Sequence, residues 1–170
     1  DNCYGITYQY LMTTIGFKSH NHAQCIAKGV QAADSFCRDA GLRLTPTRRR
    51  VLEILLEQHR AMGAYEVLDT LREEGLGSQP PVAYRALDFL VQNGFAHRIE
   101  RLNAFIACAH PGEDHAPAFL ICRSCDAVAE APSETAKGRL GQAAQSAGFK
   151  IERAVVEAIG LCPACRKNAQ

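Results

Sequence analysis

The chain has 170 residues, with 19 Lys and Arg against 18 Asp and Glu for a net charge of +1, and 47% hydrophobic against 22% charged residues. That balance excludes a disordered or collagen-like chain and any polybasic or acidic tail. The longest apolar runs, such as Ala118–Cys122, fall far short of the ~18 residues that span a bilayer as a helix, and a chain with no Trp offers little of the aromatic platform on which single-stranded nucleic acid stacks.

In chain order, Met12 ahead of Thr13-Thr14-Ile15 has the form of a natural start, so residues 1–11 are set aside in reading the fold. Apolar positions Ile26, Val30, Ala33, Phe36, Cys37 and Ala40 predict a helix ended by Gly41. Thr45 as N-cap and Pro46 as first residue open a second helix that buries Val51, Leu52 and Leu55. A third is expected from Ala64 to Glu74, burying Ala64, Val67, Leu68 and Leu71 and stopping at Gly75. The fourth follows Pro80-Pro81. It buries Ala83, Ala86, Leu87, Leu90 and Val91, leaves Tyr84, Arg85, Asp88 and Gln92 on the other face, and ends at Gly94.

Beyond Gly94 the period changes to two. Segments 95–100 and 104–108 predict a hairpin about a two-residue turn, Leu102-Asn103. Helices followed by a hairpin form the winged-helix plan, a helix-turn-helix variant whose last helix can enter a major groove. After a loop at Pro111–Asp114, strands are expected near 118–122 and 127–130, a helix over 133–147 and a last strand over 150–158. The fold class is therefore α+β. An N-terminal segment (1–24) precedes a winged-helix domain (25–108) and a smaller second domain (109–170).

Eight cysteines stand at positions 3, 25, 37, 108, 122, 125, 162 and 165. No signal peptide is recognisable, so a cytoplasmic location with reduced thiols is expected. Cys122/Cys125 and Cys162/Cys165 are two Cys-x-x-Cys knuckles separated by 36 residues. Each knuckle aims two sulfurs at one ion, and four thiolates saturate tetrahedral zinc, which makes the site structural rather than catalytic. A redox pair is the lesser alternative. A second group follows from the hairpin. With Leu102-Asn103 as the turn, His97 faces Cys108, and His115 and Glu130 lie beyond it. One thiolate, two imidazoles and a carboxylate suit zinc. On spacing alone, a stray histidine, a buried cysteine and a solvated glutamate remain open.

Leu44-Thr45-Pro46-Thr47-Arg48, Ala64-Tyr65, Pro80-Pro81, Tyr84-Arg85-Ala86-Leu87, Gly94-Phe95-Ala96-His97 and the two knuckles together resemble the ferric uptake regulator family. The stretch Tyr84–Leu90 with Cys108 is similar to its zinc uptake regulator branch, and the resemblance covers residues 25–166. It implies a dimeric, zinc-responsive transcriptional repressor, with a winged-helix domain and a dimerisation domain, that binds palindromic operator DNA. It implies two zinc ions per chain: a structural ion on Cys122, Cys125, Cys162 and Cys165, and a sensor ion on His97, Cys108, His115 and Glu130. Iron, manganese and peroxide sensors share the fold, and Cys108 discriminates, because a thiolate favours zinc. Val82-Ala83 replaces the usual Thr-Val before Tyr84. Arg153 and Ile159 stand where some members carry an extra histidine, so no third site is expected. His110, Glu113 and Asp114 read as a solvated loop, and His20, His22 and Cys25 as an N-terminal segment rather than a site.

For DNA, Arg43, Arg48, Arg49, Arg50, Arg60 and Arg98 are candidate phosphate contacts. Arg85 is the candidate base reader, since Arg bonds guanine O6 and N7 together. Tyr84 shares its face, and Tyr65 is a second base-contact candidate. A zinc hydrolase is disfavoured because four protein ligands leave no open position. A zinc-stabilised interaction module without DNA is the remaining alternative.

Overall fold

A computed structural model describes residues 22–58, 60–77, 79–112, 116–133, 138–152 and 154–168. They fall into two compact units, one within Lys18–Glu113 and one within Asp114–Gln170. Among the described residues, no helix is long and apolar enough to cross a membrane.

The first unit holds α1 (His22–Asp39), α2 (Pro46–Gln58), β1 (Met62–Gly63), α3 (Ala64–Glu73), α4 (Pro80–Gln92), β2 (Ala96–Ile99) and β3 (Ala104–Ala107). The four expected helices form, for the expected reasons. Thr45 Oγ1 accepts the Arg48 N–H at 3.4 Å, an N-cap bond that satisfies one donor of the first turn of α2. Gly94, at φ +72°, takes the left-handed conformation just beyond α4 that a side chain resists. The core joins Val51, Leu52 and Leu55 of α2, Val67, Leu68 and Leu71 of α3, and Leu87 and Leu90 of α4 around Phe95. From α1, Ala33 and Cys37 enter it. Phe36, read as core, is instead 38% exposed and packs edge-on against Phe95 at 5.3 Å, and Ala40 is exposed.

The strands form an antiparallel sheet in the order β1-β3-β2. β1, two residues long, is too short to show a period and was not legible in the sequence. The hairpin departs from expectation. Its turn is the four residues 100–103, closed by the Asn103 N–H to the Glu100 carbonyl at 3.2 Å. His97 therefore pairs with Ile106, not Cys108. A two-residue type I′ turn needs positive φ at both central residues. Asn103 adopts it, at φ 46°, whereas a leucine resists it and Leu102 is not among the positive-φ residues.

The second unit holds β4 (Ala116–Cys122), β5 (Val128–Ser133), α5 (Arg139–Ser146), β6 (Val156–Gly160) and the short α6 (Pro163–Lys167). Its sheet runs β5-β4-β6, antiparallel between β4 and β5 and parallel between β4 and β6. The parallel pair needs a crossover, and α5 lies in it. The expected helix began at Ser133, but β5 extends through that residue because Ala116–Ile121 pairs with it along its length. The last strand forms at Val156–Gly160 rather than over 150–158, aligned with Ala118–Cys122. Phe119, Ile121, Val128 and Ala129 are buried, while α5 buries no residue.

Candidate functional site

Cys122 ends β4, Cys125 follows in the adjoining turn, Cys162 caps α6 and Cys165 lies within it. The parallel pairing of β4 with β6 carries both knuckles to one end of the sheet, with Cys122 aligned to Gly160. All four sulfurs lie within 4.8 Å of one another, and the Cys125 and Cys162 sulfurs are 3.7 Å apart. An ion held by four thiolates at about 2.3 Å spaces them about 3.8 Å apart, so this set fits zinc. The charge pattern agrees. The Cys162 N–H, at 3.3 Å, and the Ser124 N–H donate to the Cys122 sulfur and bring its thiol down to about 6. The Ala127 N–H favours the Cys125 thiolate, but the crowding Cys122 and Cys165 sulfurs outweigh it and push that thiol up to about 12. Without a cation, four thiolates cannot share this space. Cys125 is then protonated at neutral pH, so metal uptake displaces protons and weakens as pH falls.

His97, on β2, and Cys108, just beyond β3, belong to the first unit. Ile106 faces His97, and Cys108 stands two residues further along, so the two share one face of the hairpin as diagonal neighbours. The Cys108 N–H donates to the Phe95 carbonyl at 3.0 Å, extending the ladder by one bond. A ring nitrogen of His97 and the Cys108 sulfur lie within 4.8 Å. The expected register was wrong by two residues, yet a shift of two preserves the face, and the pair still meets. Cys108 is buried and His97 half-buried. In the second unit, Glu130 is buried on β5 opposite Phe119, and it is the one buried charged side chain among the described residues. His115, Glu113, Asp114, His20 and Arg153 lie outside the described residues, as do the side chains of His22 and Cys25.

Arg85, Tyr84, Asp88 and Gln92 form the exposed stripe of α4, opposite the buried Ala83, Ala86, Leu87 and Leu90. Pro80 and Pro81 start the helix where missing N–H groups cost nothing. Tyr65 is 63% exposed on the first turn of α3. That turn is pinned by Glu66, whose carboxylate accepts the Gly63 N–H at 2.9 Å and the Arg60 guanidinium at 2.8 Å. The Arg60 bond comes first, and the two hold the Glu66 carboxyl below the usual range.

Most of the arginines read as phosphate contacts have partners within their own unit. Arg49 bonds Asp34 at 2.6 Å. Arg50 reaches Glu74 at 2.7 Å, Glu57 at 2.6 Å and Glu53 at 3.2 Å, tying α2 to the end of α3. Arg60 pairs with Glu66, and Arg98 bonds the Asn103 side chain at 3.0 Å. Any phosphate must compete with these bonds. Arg48 is half-buried, with its guanidinium over the Phe89 ring. Neither these carboxylates nor Phe89 were tied to the arginines by sequence spacing. Only the i,i+3 step from Arg50 to Glu53 was open to reading.

The model of the ferric uptake regulator family matches residues 39–159. The zinc uptake regulation protein of Escherichia coli strain K12 is 40% identical over 134 residues, 78% of each chain. A solved structure of a zinc uptake regulator complexed with zinc and DNA superposes with a TM-score of 0.79 at 36% identity, covering 89% of this chain and 99% of that one. The holo form of XcZur superposes at 0.74 with 40% identity, over 82% and 98%. With a family model matched over most of its length and a relative 40% identical over 78% of the chain, this chain belongs to the ferric uptake regulator family.

Proposed function

We propose that this protein is a zinc-responsive transcriptional repressor. It binds palindromic operator DNA as a homodimer when its sensor zinc is loaded, acts in the cytoplasm, and controls zinc uptake genes. It is a regulator and not an enzyme. The observation that carries the reading is the agreement over 89% of the chain with a zinc uptake regulator complexed with zinc and DNA. The exposed Tyr84, Arg85, Asp88 and Gln92 stripe on α4 and the four-sulfur cluster add support.

In this reading the chain holds two zinc ions. Cys122, Cys125, Cys162 and Cys165 hold the structural one. His97 and Cys108, with His115 and Glu130, hold the sensor ion. Cys108 selects zinc over iron or manganese because its thiolate is the soft donor of the set. When filled, the sensor set holds two DNA-binding heads of the dimer at the separation of two half-sites. Zinc then favours the DNA-bound state, and operator DNA tightens zinc by the same factor. Leu140 and Phe149, at 53% and 67% exposed, give the second unit apolar surface for a partner copy.

Metal analysis gives a direct check. Purified protein should carry two zinc per chain, one removed by mild chelation and one retained. A single zinc, or two that leave together, would contradict the division. For readout, Arg85→Ala should cost about 1–3 kcal/mol against operator DNA and relax specificity at one position per half-site. If operator and random duplexes lost affinity equally, Arg85 would not be a base reader.

A further inference from the structure

The inference concerns Arg48 and rests on the DNA-binding reading above. Arg48 occupies the third position of α2, with its own N–H held by Thr45 Oγ1. Its Nη1 donates to the Arg43 carbonyl at 2.7 Å, and its Cζ stands 3.7 Å from the centroid of the Phe89 ring. Phe89 belongs to α4 and is only 8% exposed. It comes four residues after Arg85, so the two share one face a turn apart. The Phe89 carbonyl also accepts the Asn93 side chain at 2.7 Å, which fixes the last turn of α4. Thus one planar cation joins the segment before α2, the start of α2 and the turn of α4 beside Arg85.

We propose that Arg48 is a positioning residue for DNA readout: it clamps the recognition helix through Phe89, rather than serving chiefly as a phosphate anchor. Bidentate contact with a base edge requires the helix to be placed to within about half an ångström. Only a flat guanidinium can stack on the ring and bond a carbonyl in its own plane, whereas a lysine is a point charge on a flexible stem. The clamp therefore supports specificity more than affinity.

The test uses full-length, zinc-loaded protein and an operator duplex recovered by in vitro selection with the wild type. Binding to that duplex and to a random duplex is measured for wild type, Arg48→Lys, Phe89→Leu and the double variant, with a thermal melt of each. In Arg48→Lys, which keeps the charge, operator affinity should fall about three- to tenfold more than random-duplex affinity. Phe89→Leu should reproduce that change, and the double variant should be no worse than the weaker single, because both break one contact. If Phe89→Leu melts below the assay temperature, Arg48→Lys decides alone. Equal falls on both duplexes would make Arg48 a phosphate anchor and overturn the inference. A wild-type ratio in Arg48→Lys would overturn it too. Selection that enriched no sequence would overturn the proposed function, and this inference with it.

Discussion

Replacing Cys122 by serine should unfold the second unit and remove one zinc per chain. Among the described residues, the buried apolar set of that unit is small, centred on Phe119, Ile121, Val128 and Ala129, and α5 adds no buried residue. A three-stranded sheet with so little core does not supply several kcal/mol unaided. A structural zinc contributes about 10–16 kcal/mol of apparent binding free energy in small zinc domains at neutral pH. That compares with a total stability of about 5–15 kcal/mol for a typical domain. In the proposed zinc site, Cys122 is the ligand on which the cluster is assembled. It is buried at the end of β4, and its sulfur accepts the N–H of Cys162, the first residue of the other knuckle. A hydroxyl there is a poor zinc donor and leaves three thiolates crowded together. Circular dichroism with metal analysis checks this. The expected result is lost strand signal and one zinc where the wild type has two. A cooperatively folded Cys122→Ser protein would sink the structural assignment.

Replacing Cys108 by serine should act differently. The fold, the chelation-resistant zinc and dimerisation should persist, while zinc-dependent operator binding is lost. Cys108 closes the hairpin through its main chain, by its N–H to Phe95, and serine keeps that bond. Its side chain is small, and exchanging sulfur for oxygen leaves only a minor packing defect beside the core of the first unit. Its chemistry as a ligand changes far more, because the thiolate is the soft donor of the proposed sensor set and a serine hydroxyl stays protonated at neutral pH. DNA binding that depends on the loaded state should weaken by the lost coupling, typically about 1–3 kcal/mol. His97→Ala should reproduce the loss, since in the proposed site His97 offers its nitrogen to the same ion from β2. Acidification should mimic both, as protonation competes with zinc for thiol and imidazole.

Local signals in this sequence were legible, and those that depend on long-range contacts were not. The helices were legible because each carried its own punctuation: Thr45 and Pro46 for α2, Pro80-Pro81 and Gly94 for α4. The gathering of the four cysteines was legible because two Cys-x-x-Cys knuckles pair naturally, although only the parallel β4–β6 pairing explains how 36 intervening residues return them to one point. The hairpin register was misread because Leu102 resists the backbone a two-residue turn demands. The error spared the candidate site because side chains alternate with period two. The fates of Arg48, Arg49 and Arg50 were not legible. Three adjacent arginines look alike in sequence, but the fold sends them to Phe89 on α4, Asp34 on α1 and Glu74 just beyond α3.

The central claim is that zinc sets operator affinity through the ligand set containing Cys108. The most direct test is operator affinity against buffered free zinc, for wild type and Cys108→Ser side by side. Wild-type affinity should rise with zinc to a plateau, and the variant should stay at the zinc-free level throughout. Superimposable curves would place the sensor elsewhere, and a wild-type affinity indifferent to zinc would contradict the proposed function itself.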